Sequence, residues 1–253
     1  MKTVDKAMTV LGQFSLENSE IGLSELSRLA CLDKAATRRL LVALGKHGFI
    51  EQSADSRKYR LGNGFLYLAR IREATVPIGK AAQEITEWLV DTTDETTHIS
   101  VPMTSAMSTI AHHLPSRSNI INIIPAQPLP FHATAAGICY LAAATPDTLK
   151  HALAIKRERT TAHTIISRTE LLKKIKQTRL AGYASCTNTF EEGVSSIAMA
   201  FYIDQPNPAG TISIALPDSR MTEARCTELL PSLREGVRRI EQSLSGVSIE
   251  KPG

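Results

Sequence analysis

The chain has no long hydrophobic run and no recognisable targeting leader. No stretch of about 18 apolar residues occurs in its 253 residues, so the sequence predicts no membrane-spanning helix. The first residues also lack the basic, apolar and small-residue order of a secretory signal. We therefore expect a soluble, cytoplasmic protein without a membrane partner.

Cysteine is scarce, and several catalytic motifs are missing. The cysteines are Cys31, Cys139, Cys186 and Cys226, and no two of them form a C-x-x-C pair. This spacing argues against a zinc ribbon and against a disulfide scaffold. The sequence contains no Gly-rich phosphate loop, H-E-x-x-H or G-x-S-x-G motif. It thus predicts no metal, no cofactor and no catalytic residue.

Charge, by contrast, is unevenly distributed along the chain. Residues 1–75 hold 12 Lys and Arg against 8 Asp and Glu, a net charge of +4, whereas residues 76–253 hold 17 of each kind. The whole formal excess of positive charge therefore lies in the first part, as expected for a nucleic-acid-binding segment. A length of 253 residues and an apolar fraction of 43% suit two domains that each bury a core.

Residues 22–61 predict two short helices around a tight turn, followed by a hairpin with a polar tip. Ser24 is expected to cap the first helix and Asp33 the second, which begins at Lys34. At about 100° per residue, the second helix buries one stripe, consisting of Ala36, Leu40, Leu41 and Leu44. Thr37 projects near that stripe and is expected to pack first. The outward face carries Lys34, Ala35, Arg38, Arg39, Val42 and Lys46, so it is cationic.

The hairpin completes a winged helix-turn-helix, a module that places its second helix in the major groove of DNA. Residues 49–52 and 58–61 are its strands, and Arg57 and Lys58 are the expected phosphate contacts of the wing. A helical stripe precedes the module and closes its core, with Ala7, Val10, Leu11 and Phe14. Residues 65–71 predict a connecting helix that is too apolar for a free linker, so we expect it to pack on a partner subunit.

From residue 78 the pattern changes to an amphipathic helix that ends near residue 90, followed by alternating short strands and helices. The candidate strands are residues 97–103, 109–113, 119–124, 182–186, 197–203 and 210–216. The candidate helices are residues 134–144, 146–154, 167–180 and 222–244. This order favours an antiparallel α+β sandwich of sensor type, with a hairpin turn at residues 204–210.

The chain resembles the IclR-type family of bacterial transcription regulators from Val4 to about Leu244. The likeness rests on the order of six blocks, GLSELSRLACLDKAATRRLLVALGKHGFIEQ, RKYRLG, PLPFHATAAG, AGYA, EEGVSSIA and ISIALPDSRMTEAR. The resemblance implies a winged helix-turn-helix DNA-binding domain at residues 1–62, a linker helix at 63–76 and a GAF-like antiparallel α/β sandwich at 77–253. It further implies a double-stranded DNA operator, a small and usually acidic effector, and a homodimer that pairs into a tetramer.

The family's DNA-reading segment falls on the recognition helix predicted above. Together with Ser24 and the wing, the expected DNA contacts are Ser24, Lys34, Ala35, Ala36, Arg38, Arg39, Arg57 and Lys58. The family commonly has Ser-Thr where this chain has Ala35 and Ala36. Two hydroxyl contacts would be missing, so we expect DNA binding but a different operator sequence.

The family's effector pocket also maps onto this chain. Its positions fall on Ile121, Leu129, Ala135, Ala136, Cys186, Val194, Ser196, Ser213 and Ala215. Relatives that bind small keto acids are similar but carry an acid in place of Cys186 and a hydroxyl in place of Ala215. The resemblance thus implies a ligand larger or less polar than glyoxylate or pyruvate. A carboxylate can lie at the start of the helix after His132, with hydroxyl donors from Ser196 and Ser213.

Two other functions stay open at this point. An enzyme would use Cys139 or Cys186 as nucleophile with a histidine base, although no histidine lies in a recognisable pairing motif. An architectural DNA-binding protein would have its pocket filled, whereas the predicted lining residues are mostly small. Simpler roles also exist for residues that attract attention: Cys186 as a buried hydrophobe, His132 as a tie between loops, Glu191 and Glu192 as a solvated turn, and His112 and His113 on opposite faces of a strand.

Overall fold

The structure, a computed structural model, describes residues 2–245, which form two compact units that divide between Thr75 and Val76. The first unit consists of four helices and a hairpin. They are α1 (Thr3–Leu11), α2 (Leu23–Leu29), α3 (Lys34–Lys46), β1 (Ile50–Gln52), β2 (Tyr59–Leu61) and α4 (Gly64–Thr75). Strands β1 and β2 pair antiparallel. This arrangement confirms the predicted winged helix-turn-helix.

The core of this unit follows the predicted helical spacing. Its buried members are Val10, Ile21, Leu26, Ala30, Leu40, Leu41 and Ile50. Helix α3 begins where Asp33 caps it, because the carboxylate accepts a hydrogen bond from the backbone N–H of Ala36 at 2.7 Å. The predicted cap at Ser24 is wrong. Helix α2 follows Gly22 without a side-chain cap, so Ser24 lies inside the first turn.

The second unit is a six-stranded sheet with helices on both faces. Its helices are α5 (Ile78–Thr93), α6 (Ala135–Ala143), α7 (Pro146–Ala152), α8 (Arg168–Ala181) and α9 (Glu223–Ser245). Its strands are β3 (Thr96–Pro102), β4 (Ala106–His113), β5 (Leu129–Pro130), β6 (Ala184–Thr187), β7 (Val194–Phe201) and β8 (Gly210–Pro217). The strand order is β5-β4-β3-β8-β7-β6, with every pair antiparallel.

The alternation of side chains along the central strands divides this unit into two cores. Ile212, Ile214 and Leu216 of β8 pack with α5 and α9 on one face of the sheet. Helices α6 and α8 cover the other face, where Ile138 and Leu171 are buried. Every residue of β8 is buried, which agrees with its weak hydrophobic alternation. The antiparallel α+β sandwich is therefore confirmed.

One predicted strand is wrong. Residues 119–124 form no strand, and two of their carbonyl groups accept hydrogen bonds from side chains. The carbonyl of Ile121 accepts a hydrogen bond from the Thr96 hydroxyl at 2.7 Å, and that of Asn119 accepts one from the Arg220 guanidinium at 2.8 Å. The edge strand is the shorter β5, which the sequence did not predict. Among the described residues, no helix is long and apolar enough to cross a membrane.

Candidate functional site

The first unit presents a cationic surface on the outer face of α3. Lys34, Arg38 and Arg39 are exposed there, whereas Thr37 is fully buried and donates its hydroxyl to the carbonyl of Asp33 at 3.0 Å. Neither Arg38 nor Arg39 forms an ion pair with any residue between 2 and 245. Both guanidinium groups are thus free of carboxylate partners and available to an anionic ligand.

A groove gathers four of the eight predicted DNA contacts. Ser24, Lys34, Arg38 and Arg57 line it, between the start of α2, the start of α3 and the wing. The other flank of α3 carries Ala35, Arg39, Val42 and Lys46. Lys58 is exposed on the wing, and Ala36 is half-buried beside the Asp33 cap.

The other arginine of the wing, Arg60, already forms ion pairs within the protein. Arg60 lies 3.1 Å from the Glu51 carboxylate on the paired strand and 3.9 Å from that of Glu20. This pairing offsets its charge locally. The free cationic groups of the unit therefore concentrate on α3 and the tip of the wing, where Arg57 and Lys58 lie.

The second unit contains a cavity between the sheet and the start of α6. Its volume is about 70 Å³, which leaves room for more than one water molecule. Eight of the nine predicted effector residues line it: Ile121, Leu129, Ala135, Ala136, Cys186, Val194, Ser196 and Ala215. Ser213 is the exception, because it is fully buried on β8 and does not line the cavity. The prediction of Ser213 as a lining residue is corrected accordingly.

Helix α6 directs its amino-terminal end at the cavity. The Thr134 side chain caps the helix by accepting a hydrogen bond from the N–H of Gly137 at 3.0 Å. The N–H groups of Ala135 and Ala136 have no acceptor inside the helix, and both residues line the cavity. Unpaired amides at the positive end of a helix form a site for an anion.

A close backbone contact fixes this end of α6. A Cβ atom at Gly137 would lie 2.4 Å from the Cα of Phe131 and 2.7 Å from its carbonyl oxygen. Only glycine therefore lets the segment before the helix pack against its first turn. The Phe131 ring stacks on Tyr140 at 5.5 Å between ring centroids, which holds the same segment from the other side.

Several lining residues were not predicted from the sequence. They are His98, Thr109, Asn122, Ile123, Ile124, Gln127, Ala133, Thr134, Thr189, Phe190 and Glu191. Most lie in irregular segments, whose course no periodicity encodes. His98 and Thr109 lie in β3 and β4, and nothing in the sequence beyond strand alternation marks them as residues that line a cavity. His98 is nevertheless distinctive, because it is 6% exposed and its pKa is lowered to about 4, first by burial and then by His112.

Two buried cysteines and two further histidines have structural roles. Burial raises the pKa of Cys186 and raises that of Cys139 to about 12, so neither thiol ionises readily. His132 joins two loops through a hydrogen bond between its Nε2 and the carbonyl of Glu158 at 2.9 Å. His113 pairs with the Thr86 hydroxyl at 2.8 Å. In the described part of the chain, no cluster of three or more His, Cys, Asp or Glu side chains is placed to hold a metal.

Comparison with known proteins matches both units to one family. The model of the IclR helix-turn-helix domain matches residues 3–54, and that of the bacterial transcriptional regulator IclR C-terminal domain matches residues 74–242. The chain is 25% identical over 255 residues to the HTH-type transcriptional regulator XynR of Escherichia coli strain K12, covering 96% of this chain and 97% of the relative. It is 28% identical to the regulator KdgR of Dickeya chrysanthemi, covering 96% and 82%.

Two crystal structures of other proteins are similar to this chain in three dimensions. A crystal structure described as an IclR transcriptional regulator from Silicibacter sp. TM1040 superposes with a TM-score of 0.91 at 33% identity, covering 100% of both chains. An IclR homologue from Microbacterium hydrocarbonoxydans, solved in complex with 4-hydroxybenzoate, gives a TM-score of 0.76 at 21% identity, covering 96% of this chain and 99% of that one. At 21% identity, the similarity to the Microbacterium structure shows only that the two proteins share a fold.

Proposed function

Because the chain belongs to the IclR family of bacterial transcriptional regulators, we propose that a small organic acid in the cavity of the second unit controls operator binding by α3 and the wing. One observation carries the proposal. The same chain holds a cationic helix face whose Arg38 and Arg39 form no ion pair with any residue between 2 and 245 and, in a separate unit, a cavity that Ala135 and Ala136 line at the amino-terminal end of α6.

On DNA, the groove residues have distinct roles. Arg38 and Arg39 project from successive positions of α3 and suit base edges or phosphates, while Arg57 and Lys58 of the wing suit the phosphate backbone. Ala35 offers a methyl group in place of a hydroxyl, which favours apolar contact with thymine over hydrogen bonding. We therefore expect an operator that differs from those of relatives with hydroxyls at this position.

In the cavity, the amides of Ala135 and Ala136 hold the carboxylate, and Ser196 offers a hydroxyl from the sheet. The remaining lining is largely apolar, as in Ile121, Leu129 and Val194, which favours an aromatic or branched carbon skeleton. The 4-hydroxybenzoate bound by the Microbacterium homologue is an acid of this class. It supports the choice of aromatic acids as first candidates.

The response to the effector passes through subunit pairing. Helix α4 buries none of its residues and exposes Leu66, Tyr67, Leu68 and Ile71 by 46% to 66%. Such a surface favours a homodimer that buries it, with tetramers formed by pairs of dimers. We assign residues 1–62 to DNA binding, 63–76 to the linker and 77–253 to effector binding. The effector then biases the pairing of subunits, and thereby the spacing of their recognition helices.

The enzyme alternative does not hold. The chain is a regulator of a non-enzymatic family, and the named relatives are transcriptional regulators. The two candidate nucleophiles also have raised pKa values, which disfavours the reactive thiolate.

A binding experiment with matched variants tests the DNA part. A duplex is first selected from a random pool with the full-length protein, and its affinity is then measured at several salt concentrations. Arg39→Ala should weaken binding about tenfold and lower the salt slope by about one. Arg28→Ala is the matched control, since Arg28 is equally exposed in the same unit but lies 3.9 Å from Glu25. Equal affinity of the two variants would show that α3 is not the reading helix.

Effector control is tested with the same duplex. Benzoate and 4-hydroxybenzoate are screened by thermal shift, because a ligand of the folded state raises the unfolding temperature. The acid that gives a shift should then change operator affinity or subunit association. An acid that binds the protein and alters neither property would contradict the proposed control.

A further inference from the structure

The cavity floor is formed by side chains from five neighbouring strands. They are Thr109 of β4, His98 of β3, Ala215 of β8, Ser196 of β7 and Cys186 of β6. Alternation places them on the face opposite Ile212 and Ile214, which pack against α5 and α9. Three of the five carry an imidazole or a hydroxyl group, whereas the segment of residues 121–129 lines the cavity with Ile121, Ile123, Ile124 and Leu129 and with two amides, Asn122 and Gln127.

His98 has an unmet hydrogen-bonding capacity at this floor. Its Nδ1 is buried and has no partner among the described residues, and the same is true of the Ser213 Oγ and the Thr211 Oγ1. His98 and Ser213 are direct cross-strand partners, so their Cβ atoms lie about 5 Å apart on one face. A buried polar atom without a partner is costly, so each one in a native structure calls for an explanation, such as an ordered water, an ion or a polar ligand nearby. Of these three residues, only His98 lines the cavity.

The imidazole is uncharged at this position. Burial first, and then the charge of His112, its cross-strand partner on β4, together lower its pKa to about 4. The other ionisable lining side chains are Glu191, which is exposed, and Cys186, whose pKa burial raises. No Lys or Arg between residues 2 and 245 lines the cavity. A neutral imidazole donates from one ring nitrogen and accepts at the other. A hydroxyl group of a ligand can donate a hydrogen bond to the unprotonated ring nitrogen or accept one from the protonated ring nitrogen. A second carboxylate of the ligand could only accept a hydrogen bond, and its negative charge would lie near that of Glu191.

We propose that His98 is a specificity residue of the effector cavity, where it hydrogen bonds a hydroxyl group of the ligand while the ligand's carboxylate lies at the start of α6. The effector class is thus a monocarboxylic acid that carries a hydroxyl group away from its carboxylate. This assignment rests on the proposed function, since it takes the cavity to be the effector site.

Matched ligand pairs test the assignment on the full-length protein. The pairs are benzoate with 3- and 4-hydroxybenzoate, and butyrate with 3-hydroxybutyrate, titrated by calorimetry. In at least one pair the hydroxylated acid should bind about tenfold or more tightly, as a buried hydrogen bond would give. His98→Phe should abolish this preference, so that the hydroxylated and the unsubstituted acid of each pair bind the variant with equal affinity. His98→Gln, which keeps a donor and an acceptor, should restore part of the preference.

The control is His112→Phe, the same substitution one strand away at a residue that does not line the cavity. It should keep the preference. If His98→Phe does not fold, ¹⁵N-histidine spectra of the unaltered protein give the same information. The His98 ring signals should shift on addition of the hydroxylated acid, and little on addition of its unsubstituted partner.

The possible results separate this assignment from the proposed function. The role of His98 is overturned if the preference for the hydroxylated acid survives in His98→Phe. It is also overturned if no pair shows such a preference, which includes the case in which none of the acids binds. An unsubstituted acid that binds and alters operator affinity without such a preference leaves the proposed function intact. A His98-dependent preference without any effect on operator affinity or association supports the assignment and contradicts the proposed function.

Discussion

The histidine in the cavity floor should make the stability of the protein depend on pH. The pKa of His98 falls from its ordinary value of 6.5 to about 4 in the folded chain. Between these pH values the unfolded chain binds a proton that the folded chain does not, so stability is lost as the pH falls from about 6.5 toward 4. Linkage gives a loss of about 2 kcal/mol at pH 5, and about 3 kcal/mol in full below pH 4.

Chemical denaturation at pH 8 and pH 5 measures this loss. His98→Phe removes the titrating group, so its free energy of unfolding should fall between the two pH values by about 2 kcal/mol less than that of the parent protein. At pH 8 the variant should be at least as stable, because it also removes the buried nitrogen without a partner. His163→Gln, on an exposed side chain, is the control and should keep the parent's pH dependence. Parallel pH dependence of parent and His98→Phe would show that His98 is not buried as a neutral side chain.

Three substitutions test the packing that positions the two sites. Asp33→Ala removes the cap of α3 and should cost about 1 kcal/mol in unfolding free energy, whereas Asp33→Asn should retain most of it. Gly137→Ala forces a methyl group against the Phe131 backbone, so it should lower the free energy of unfolding by about 3 kcal/mol and abolish acid binding. An unchanged melting temperature of this variant would refute the close contact. Glu95 is only 1% exposed, and Arg220→Gln removes the guanidinium group that lies 2.6 Å from its carboxylate. This variant should destabilise the second unit by about 2 kcal/mol. Full stability of the variant would show that the ion pair is dispensable.

Periodicity and turn chemistry predicted most of this fold. The stripe of Leu40 and Leu41 and the cap at Asp33 located α3, and the weak alternation of residues 212–216 is typical of a strand covered on both faces, as β8 is. Prediction failed for residues 119–124, whose Ile-rich sequence is typical of a strand. Their apolar side chains instead cover a cavity, and their carbonyls are bound by side chains that are distant in sequence.

The two sites were predictable to different degrees. The exposure of Arg38 and Arg39 followed from helical spacing alone, because a helix face depends on local sequence. The cavity residues were assigned by resemblance, which gives aligned positions but not whether a neighbour closes off a side chain such as Ser213, which is fully buried and does not line the cavity. His98 was missed because its significance depends on a missing hydrogen-bond partner, which only the assembled sheet reveals.

The irregular segment that covers the cavity has a consequence for how such a sensor changes its ligand. Two side-chain bonds, from Thr96 and Arg220, secure residues 119–121, and no ladder of strand pairing is involved. Substitutions in this segment alter what the cavity admits without disturbing the register of any strand. The chemistry that the protein senses can therefore diverge over evolution while the scaffold beneath it stays constant.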